Sequence, residues 1–190
     1  MARLFVALEL SNQQKSEISA FQGTIKQYMG GVRWVKPEAL HLTLKFLGET
    51  EESCIEEIAA ALDEIAASMN PFDVIYGESG VFPSPRKARV IWVGLREGNE
   101  AARDLASRVD MALNRIGFEP EKRSYTPHLT IGRVKKSLPE KVVHRYLEQG
   151  NTFTTAGYTI KSAVLYESKL SPRGATYVVR HRADFSSRQE

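Results

Sequence analysis

The sequence predicts an α+β protein of two pseudo-symmetric lobes, each an antiparallel sheet with helices outside, and a cleft between the two sheets. Three observations lead there. The tetrapeptide His41-Leu42-Thr43-Leu44 returns 87 positions later as His128-Leu129-Thr130-Ile131. The order strand, helix, histidine strand, helix, strand surrounds both copies. Segments 32–35 and 40–47, like 72–81 and 88–95, are joined too tightly for the crossovers of a parallel sheet. A duplicated unit is the economical explanation, giving one bilobal domain over residues 1–190 with repeats of roughly 2–81 and 88–167.

The elements follow in order. Residues 4–8 are a continuous apolar run and read as a buried strand. Ser11-Asn12-Gln13-Gln14 has capping-box spacing. Ile18, Phe21, Ile25 and Met29 then keep helical period, and Gly30-Gly31 ends the helix. A short strand at 32–35 and Pro37 lead into the first histidine strand, 40–47. Residues 51–69 form a helix with Ile55, Ile58, Leu62, Ile65 and Met69 on one face, closed by Asn70-Pro71. Strand 72–81, a basic loop at 83–87 and strand 88–95 follow. The helix at 99–116 turns Leu105, Val109, Ala112, Leu113 and Ile116 inward and stops at Gly117. Residues 119–127 approach the second histidine strand, 128–134. Ser137-Leu138-Pro139-Glu140 reads as a capping box with proline in the first turn, and its helix runs to Gly150. A long strand region at 153–167, a loop at 169–174 and a strand at 175–182 complete the chain. The tail beyond Asp184 reads as frayed.

Composition narrows the function classes. An apolar fraction of 42% is ordinary for a folded domain. The net charge of +3 suits a phosphate ligand without demanding one. The single cysteine, Cys54, excludes an internal disulfide and has the setting of a packing residue. The run at 4–8 is broken by Glu9, too short for a leader or a span, so a cytoplasmic protein is expected. No metal-ligand spacing occurs, and neither tetrapeptide carries a carboxylate. His144 and His181 lack a partner motif and read as structural or exposed.

The repeated tetrapeptide carries the chemistry. Side chains two apart on a strand share one face, so each copy presents an imidazole beside a hydroxyl and buries its apolar pair. Two imidazoles flanking a phosphorus atom can protonate a leaving oxygen and deprotonate an attacking one. Two threonine hydroxyls can hold the non-bridging oxygens. Lys45 has the parity of His41 and Thr43, and is either a cation on the catalytic face or a solvated strand-end lysine. Arg133 has the opposite parity to His128. A bulge at Gly132 would turn it inward; otherwise it is an exposed strand-end cation. Phe5 and Tyr125 are candidates for stacking on a base, with core packing the better reading for Phe5. Arg86, Lys87, Arg123 and Arg133 could track an RNA backbone or be ordinary solvated charges.

Further stretches carry a resemblance across nearly the whole chain. They are Arg3-Leu4-Phe5-Val6-Ala7, Trp34 before His41-Leu42-Thr43-Leu44-Lys45-Phe46-Leu47-Gly48, and Phe82-Pro83 leading to Val90-Ile91-Trp92. Then come Pro127-His128-Leu129-Thr130-Ile131-Gly132-Arg133, and Ser168-Lys169-Leu170 before Gly174-Ala175-Thr176-Tyr177. The chain resembles the 2H phosphoesterase superfamily, in its 2′-5′ RNA ligase or RNA 2′,3′-cyclic phosphodiesterase branch. The resemblance implies a bilobal fold and hydrolysis of RNA 2′,3′-cyclic phosphate ends to 2′-phosphates, without metal or other cofactor. It also implies a slow, reversible joining that forms 2′-5′ linkages. His41 matches the family's proton donor, His128 its proton acceptor, and Thr43 and Thr130 its phosphate ligands; Arg133 matches an arginine after the second motif. The partner implied is RNA with a cyclic phosphate terminus, tRNA fragments or similar, met by a monomer without a membrane. Two other functions fit the same residues. One is a phosphodiesterase of small cyclic nucleotides or of a 1″,2″-cyclic phosphate; the other is an RNA- or nucleotide-binding module without turnover.

Overall fold

A computed structural model of the chain describes residues 1–171 and 174–186. Strands β1 (Ala2–Glu9), β3 (His41–Thr50), β8 (Ser162–Ser171) and β9 (Gly174–Asp184) form a four-stranded sheet in the order β3-β1-β8-β9. Strands β2 (Val32–Trp34), β4 (Phe72–Phe82), β5 (Val90–Glu97), β6 (Leu129–Val134) and β7 (Tyr158–Ile160) form a five-stranded sheet, β2-β6-β5-β4-β7. Every pairing is antiparallel. The α+β architecture with two antiparallel sheets is therefore the one expected.

The central strands explain the apolar runs. β1 lies between β3 and β8, and Leu4, Val6, Ala7 and Leu8 are fully buried. β5 lies between β6 and β4, with Ile91, Val93 and Leu95 buried. Helix α1 (Asn12–Lys26) begins at the expected box: Ser11 Oγ accepts from Gln14 N, and Gln14 Oε1 accepts from Ser11 N. Helix α2 (Ile55–Ala66) buries Ile58, Leu62 and Ala66, and α3 (Asn99–Arg115) buries Leu105, Val109 and Leu113. Helix α4 (Glu140–Gly150) starts without a side-chain cap. Pro139 takes the N-cap position, so Ser137 lies too early for the expected capping box.

The lobes do not coincide with the two halves of the chain. Helix α1 follows a strand of the four-stranded sheet but packs on the other one: Gln14 Nε2 donates to Val74 O of β4, and Gln22 Nε2 to Ile131 O of β6. Helix α3 follows β5 yet packs on β3, where Asp110 pairs with Lys45. Strand β2 pairs with β6, not with its near neighbour β3. The link at residues 35–40 therefore crosses between sheets, where a tight connection suggested a hairpin. The long strand expected at 153–167 is two strands broken at Lys161, one in each sheet. The loop expected at 169–174 is a hairpin with Ser171 opposite Gly174, and residues 172–173 lie outside those described. Beyond Asp184, Phe185 is buried, its N–H bonds Lys161 O, and Ser186 N bonds Ala66 O, so this stretch is anchored; residues 187–190 lie outside those described. No helix among the described residues is long and apolar enough to cross a membrane.

Candidate active site

The two histidines are held in the same way. A turn at Pro37–Ala39 brings Ala39 O to 2.9 Å from His41 Nδ1. Thr126 O lies 2.7 Å from His128 Nδ1. In each case the carbonyl belongs to the residue two before the histidine. A ring nitrogen facing a carbonyl carries the proton, so Nδ1–H donates and Nε2 is left for chemistry. The two tetrapeptides thus hold their histidines in matching settings, one on each sheet.

Aromatic walls surround each ring. Phe5 packs on His41 with centroids 4.7 Å apart, and Tyr177 meets it edge-on at 4.9 Å. Tyr166 stacks behind Phe5. Phe82 meets His128 edge-on at 5.0 Å, with Trp92 at 6.1 Å. Phe5 and Trp92 stand equally far before their histidines in sequence, and both become ring walls. Burial among these aromatics pushes His41 down to about 4, helped by the Arg133 guanidinium and opposed by the bond to Ala39. The same causes lower His128: burial first, then the opposing bond to Thr126, then Arg133. Arg133 therefore acts on both imidazoles, and on the Tyr177 hydroxyl as well. Groups from both sheets share one charged space.

Two β-bulges shape that space. In β3, Thr43 stands opposite Ala7 and Lys45 opposite Val6, so Leu44 is an extra residue. In β6, Thr130 stands opposite Trp92 and Gly132 opposite Ile91, so Ile131 is extra. Each extra residue is the fourth of its tetrapeptide. A bulge shifts the alternation by one, so the residue two past it returns to the histidine face. In β6 that residue is Arg133. The expected inward turn occurs, with the inserted residue at Ile131 and not at Gly132.

In β3 the same shift turns Lys45 away from the histidine face. Lys45 is 6% exposed and lies on the helix side, where Nζ pairs with Asp110 and donates to Glu119 O at 2.8 Å. Its parity placed it on the catalytic face; the bulge places it in an ion pair behind the sheet. Phe46 takes the face position equivalent to Arg133. It is 54% exposed, with the Arg3 guanidinium 5.0 Å from the ring centroid. The sequence reading missed Phe46, because simple alternation assigns it to the core.

The remaining candidates separate. Phe5 is 3% exposed, which leaves no free face for a base. The Tyr125 ring is packed against the core, and its hydroxyl donates to Thr43 O at 2.8 Å. It ties the approach of the second motif to the backbone of the first. Arg123 lines a pocket behind β3 together with Lys45, Asp110 and Tyr125. Arg86 sits 3.5 Å from Glu140 at the surface, and Lys87 belongs to the same short turn, Pro85–Lys87. His144 is exposed beside Glu140, and His181 bonds Asp63 of α2 at 2.7 Å. Among the described residues, no group of three or more His, Cys, Asp or Glu side chains is placed to hold a metal ion.

Comparison with known proteins places this geometry. The family described as LigT like phosphoesterase matches residues 8–92 and again residues 93–177. An RNA 2′,3′-cyclic phosphodiesterase of Methanothermobacter thermautotrophicus is 34% identical over 92% of this chain and 94% of its own. One of Methanocaldococcus jannaschii is 36% identical over 93% of this chain and 97% of its own. A crystal structure from Thermus thermophilus superposes with a TM-score of 0.82 at 23% identity, covering 98% of this chain and all of that one, which bears on the fold alone.

Proposed function

This chain belongs to the LigT like phosphoesterase family, and from that premise we propose that it hydrolyses RNA 2′,3′-cyclic phosphate ends to 2′-phosphates. The observation that carries the reading is the pair of matching imidazoles. Each is anchored through Nδ1 to the carbonyl two residues back, and both feel one arginine. A binding module has no use for two proton carriers prepared alike.

In the reaction, His128 Nε2 takes a proton from water as the water attacks phosphorus. His41 gives a proton to the departing 3′ oxygen, and the 2′-phosphate remains. The direction of the two roles follows the family likeness of the tetrapeptides. The Thr43 and Thr130 hydroxyls, with Arg133, meet the non-bridging oxygens as their charge grows. With a 5′-hydroxyl in place of water, the same steps form a 2′-5′ linkage.

Burial of the histidines gives the substrate a part in its own catalysis. With His41 near 4 and His128 depressed, both rings are neutral at pH 7 in the free protein. A phosphate anion entering between them favours the charged form of its neighbour. Substrate binding therefore draws in the proton that the general acid donates. A short RNA ending in a 2′,3′-cyclic phosphate, incubated with the protein and resolved by phosphatase sensitivity and mass, should yield the 2′-phosphate. The exposed Phe46 ring with Arg3 beside it favours an oligomer over a mononucleotide. Equal kcat/KM for both would move the reading to small cyclic nucleotides, and tight binding without product would make the protein a binding module. A single copy suffices, since both half-sites come from one chain.

A further inference from the structure

The β6 bulge has a clamp, and the clamp comes from a helix that the reaction does not otherwise use. Gln22 of α1 is 2% exposed, a long polar side chain in the core between helix and sheet. Its Nε2 donates to Ile131 O at 2.8 Å and to Val35 O at 2.9 Å. Ile131 is the inserted residue itself, and its carbonyl also accepts Val35 N at 3.0 Å. Both amide hydrogens are thus engaged by carbonyls at the irregular point of the sheet. Without Gln22, Ile131 O keeps Val35 N and Val35 O loses this donor, so each carbonyl at the irregular point is held by one hydrogen bond fewer.

We propose that Gln22 is a positioning residue: by holding the Ile131 bulge, it keeps Arg133 turned into the cleft beside both histidines. The alternation argument makes the link mechanical. With Ile131 inserted, Arg133 shares the face of Thr130; without the insertion, Arg133 points to the helix side and Gly132 to the cleft. A straightened β6 therefore loses its cleft cation in one step. The other half-site solves the same problem with other residues. There the bulged strand is held by Tyr125 on Thr43 O and by Asp110 of α3 on Lys45. Helices α1 and α3 occupy equivalent places in the two halves, and each sends a polar side chain to the bulge of the sheet it covers.

The inference rests on the reading of the cleft as a cyclic phosphodiesterase, and a double-mutant cycle separates the two. Q22M replaces the amide with a side chain of similar volume that donates nothing. Q22M, R133Q and Q22M/R133Q are assayed for kcat/KM on a cyclic-phosphate RNA from pH 5 to 9, beside their melting temperatures. Q22M should lower kcat/KM by roughly 10- to 100-fold, the scale of a misplaced active-site group. Its pH profile should move to higher pH as that of R133Q does, because both histidines lose the same neighbouring cation. The double variant should be no worse than R133Q alone. Q22M losses that multiply with those of R133Q, or an unmoved pH profile, would make Gln22 a packing residue and overturn the proposal. Should Q22M fail to fold, Q22N, which keeps an amide one methylene short, carries the same cycle with the same outcomes. A wild-type protein without turnover would instead sink the cyclic phosphodiesterase reading.

Discussion

At the scale of single residues, the His-x-Thr pairs were legible because a strand has a period of two and the tetrapeptide occurs twice. What could not be read was the charge state. Nothing in the sequence near His41 announces that Phe5 and Tyr177, 36 positions before it and 136 after it, close around its ring. Exchange of either histidine for glutamine should cut kcat by about 10²–10⁴-fold, the usual worth of a positioned acid or base, with the melting temperature at pH 7 little changed. The depressed pKa values make two sharper statements. Burial disfavours the charged form of both imidazoles, and a bound phosphate anion would favour it. The limb of the pH profile where the imidazolium is lost should therefore lie at higher pH for kcat, which reports the complex, than for kcat/KM, which reports the free enzyme. Coincident limbs would show that the phosphate does not charge the ring. Stability follows from the same shift. His41 titrates near 6.5 when unfolded and near 4 when folded. Between those values the unfolded chain holds a proton that the folded chain rejects, so stability is intact above about pH 6.5 and is lost as pH falls toward 4. H41Q should flatten the acid side of a plot of melting temperature against pH; an unaltered slope would remove His41 as its source.

At the scale of elements, the strands, helices and their order were largely foreseen, and the inserted residues were not. Leu44 and Ile131 are apolar, as strand residues are, so a bulge there leaves no mark in the hydrophobic pattern. One rule errs in opposite senses: alternation gives Lys45 the parity of His41 and Thr43, and assigns Phe46 to the core. Arg133 fared better only because Gly132 beside it hinted at irregular backbone. The exchange of roles is open to test. Phe46→Ala removes an exposed ring, so the fold should be untouched while KM for an RNA oligomer rises about tenfold, within the worth of one stacked base. The same variant should leave a mononucleotide substrate unaffected; equal losses on both would place Phe46 elsewhere in the mechanism. Lys45 should behave in the opposite sense. Asp110→Ala leaves a buried ammonium bonded to Glu119 O and without its counter-charge. Because the Asp110 side chain is one-quarter exposed, the expected loss falls below the usual range for a broken buried pair, at about 2–3 kcal/mol in urea unfolding.

At the scale of the whole molecule, the two antiparallel sheets are legible in the sequence and their sharing of strands between the two halves is not. We propose that the chain is a doubled unit. Supporting this, β3-β1-β8 in one sheet runs in the same order as β6-β5-β4 in the other, and the family matches residues 8–92 and again residues 93–177. In each sheet, however, the strand beside the central one comes from the other half: β8 beside β1, and β4 beside β5. The helices α1 and α3 are exchanged as well. Hydrophobic pattern shows that a strand is buried and on which faces; it does not show against whose strand. The exchange has a physical consequence. A fragment ending in the loop after β4 holds β1 with one neighbour and one exposed edge, and α1 with no sheet to cover. Its counterpart holds β5 with β6 alone and α3 likewise uncovered. Neither half can bury its own central strand. Fragments 1–84 and 85–190, expressed apart, should each lack the dispersed amide spectrum of a folded domain. Mixed and refolded together, they should recover cyclic phosphodiesterase activity, because each supplies one histidine and the strand the other half lacks. A half that folds by itself would show that its core closes without the exchanged strands, and the interlocked account of the lobes would fail with it.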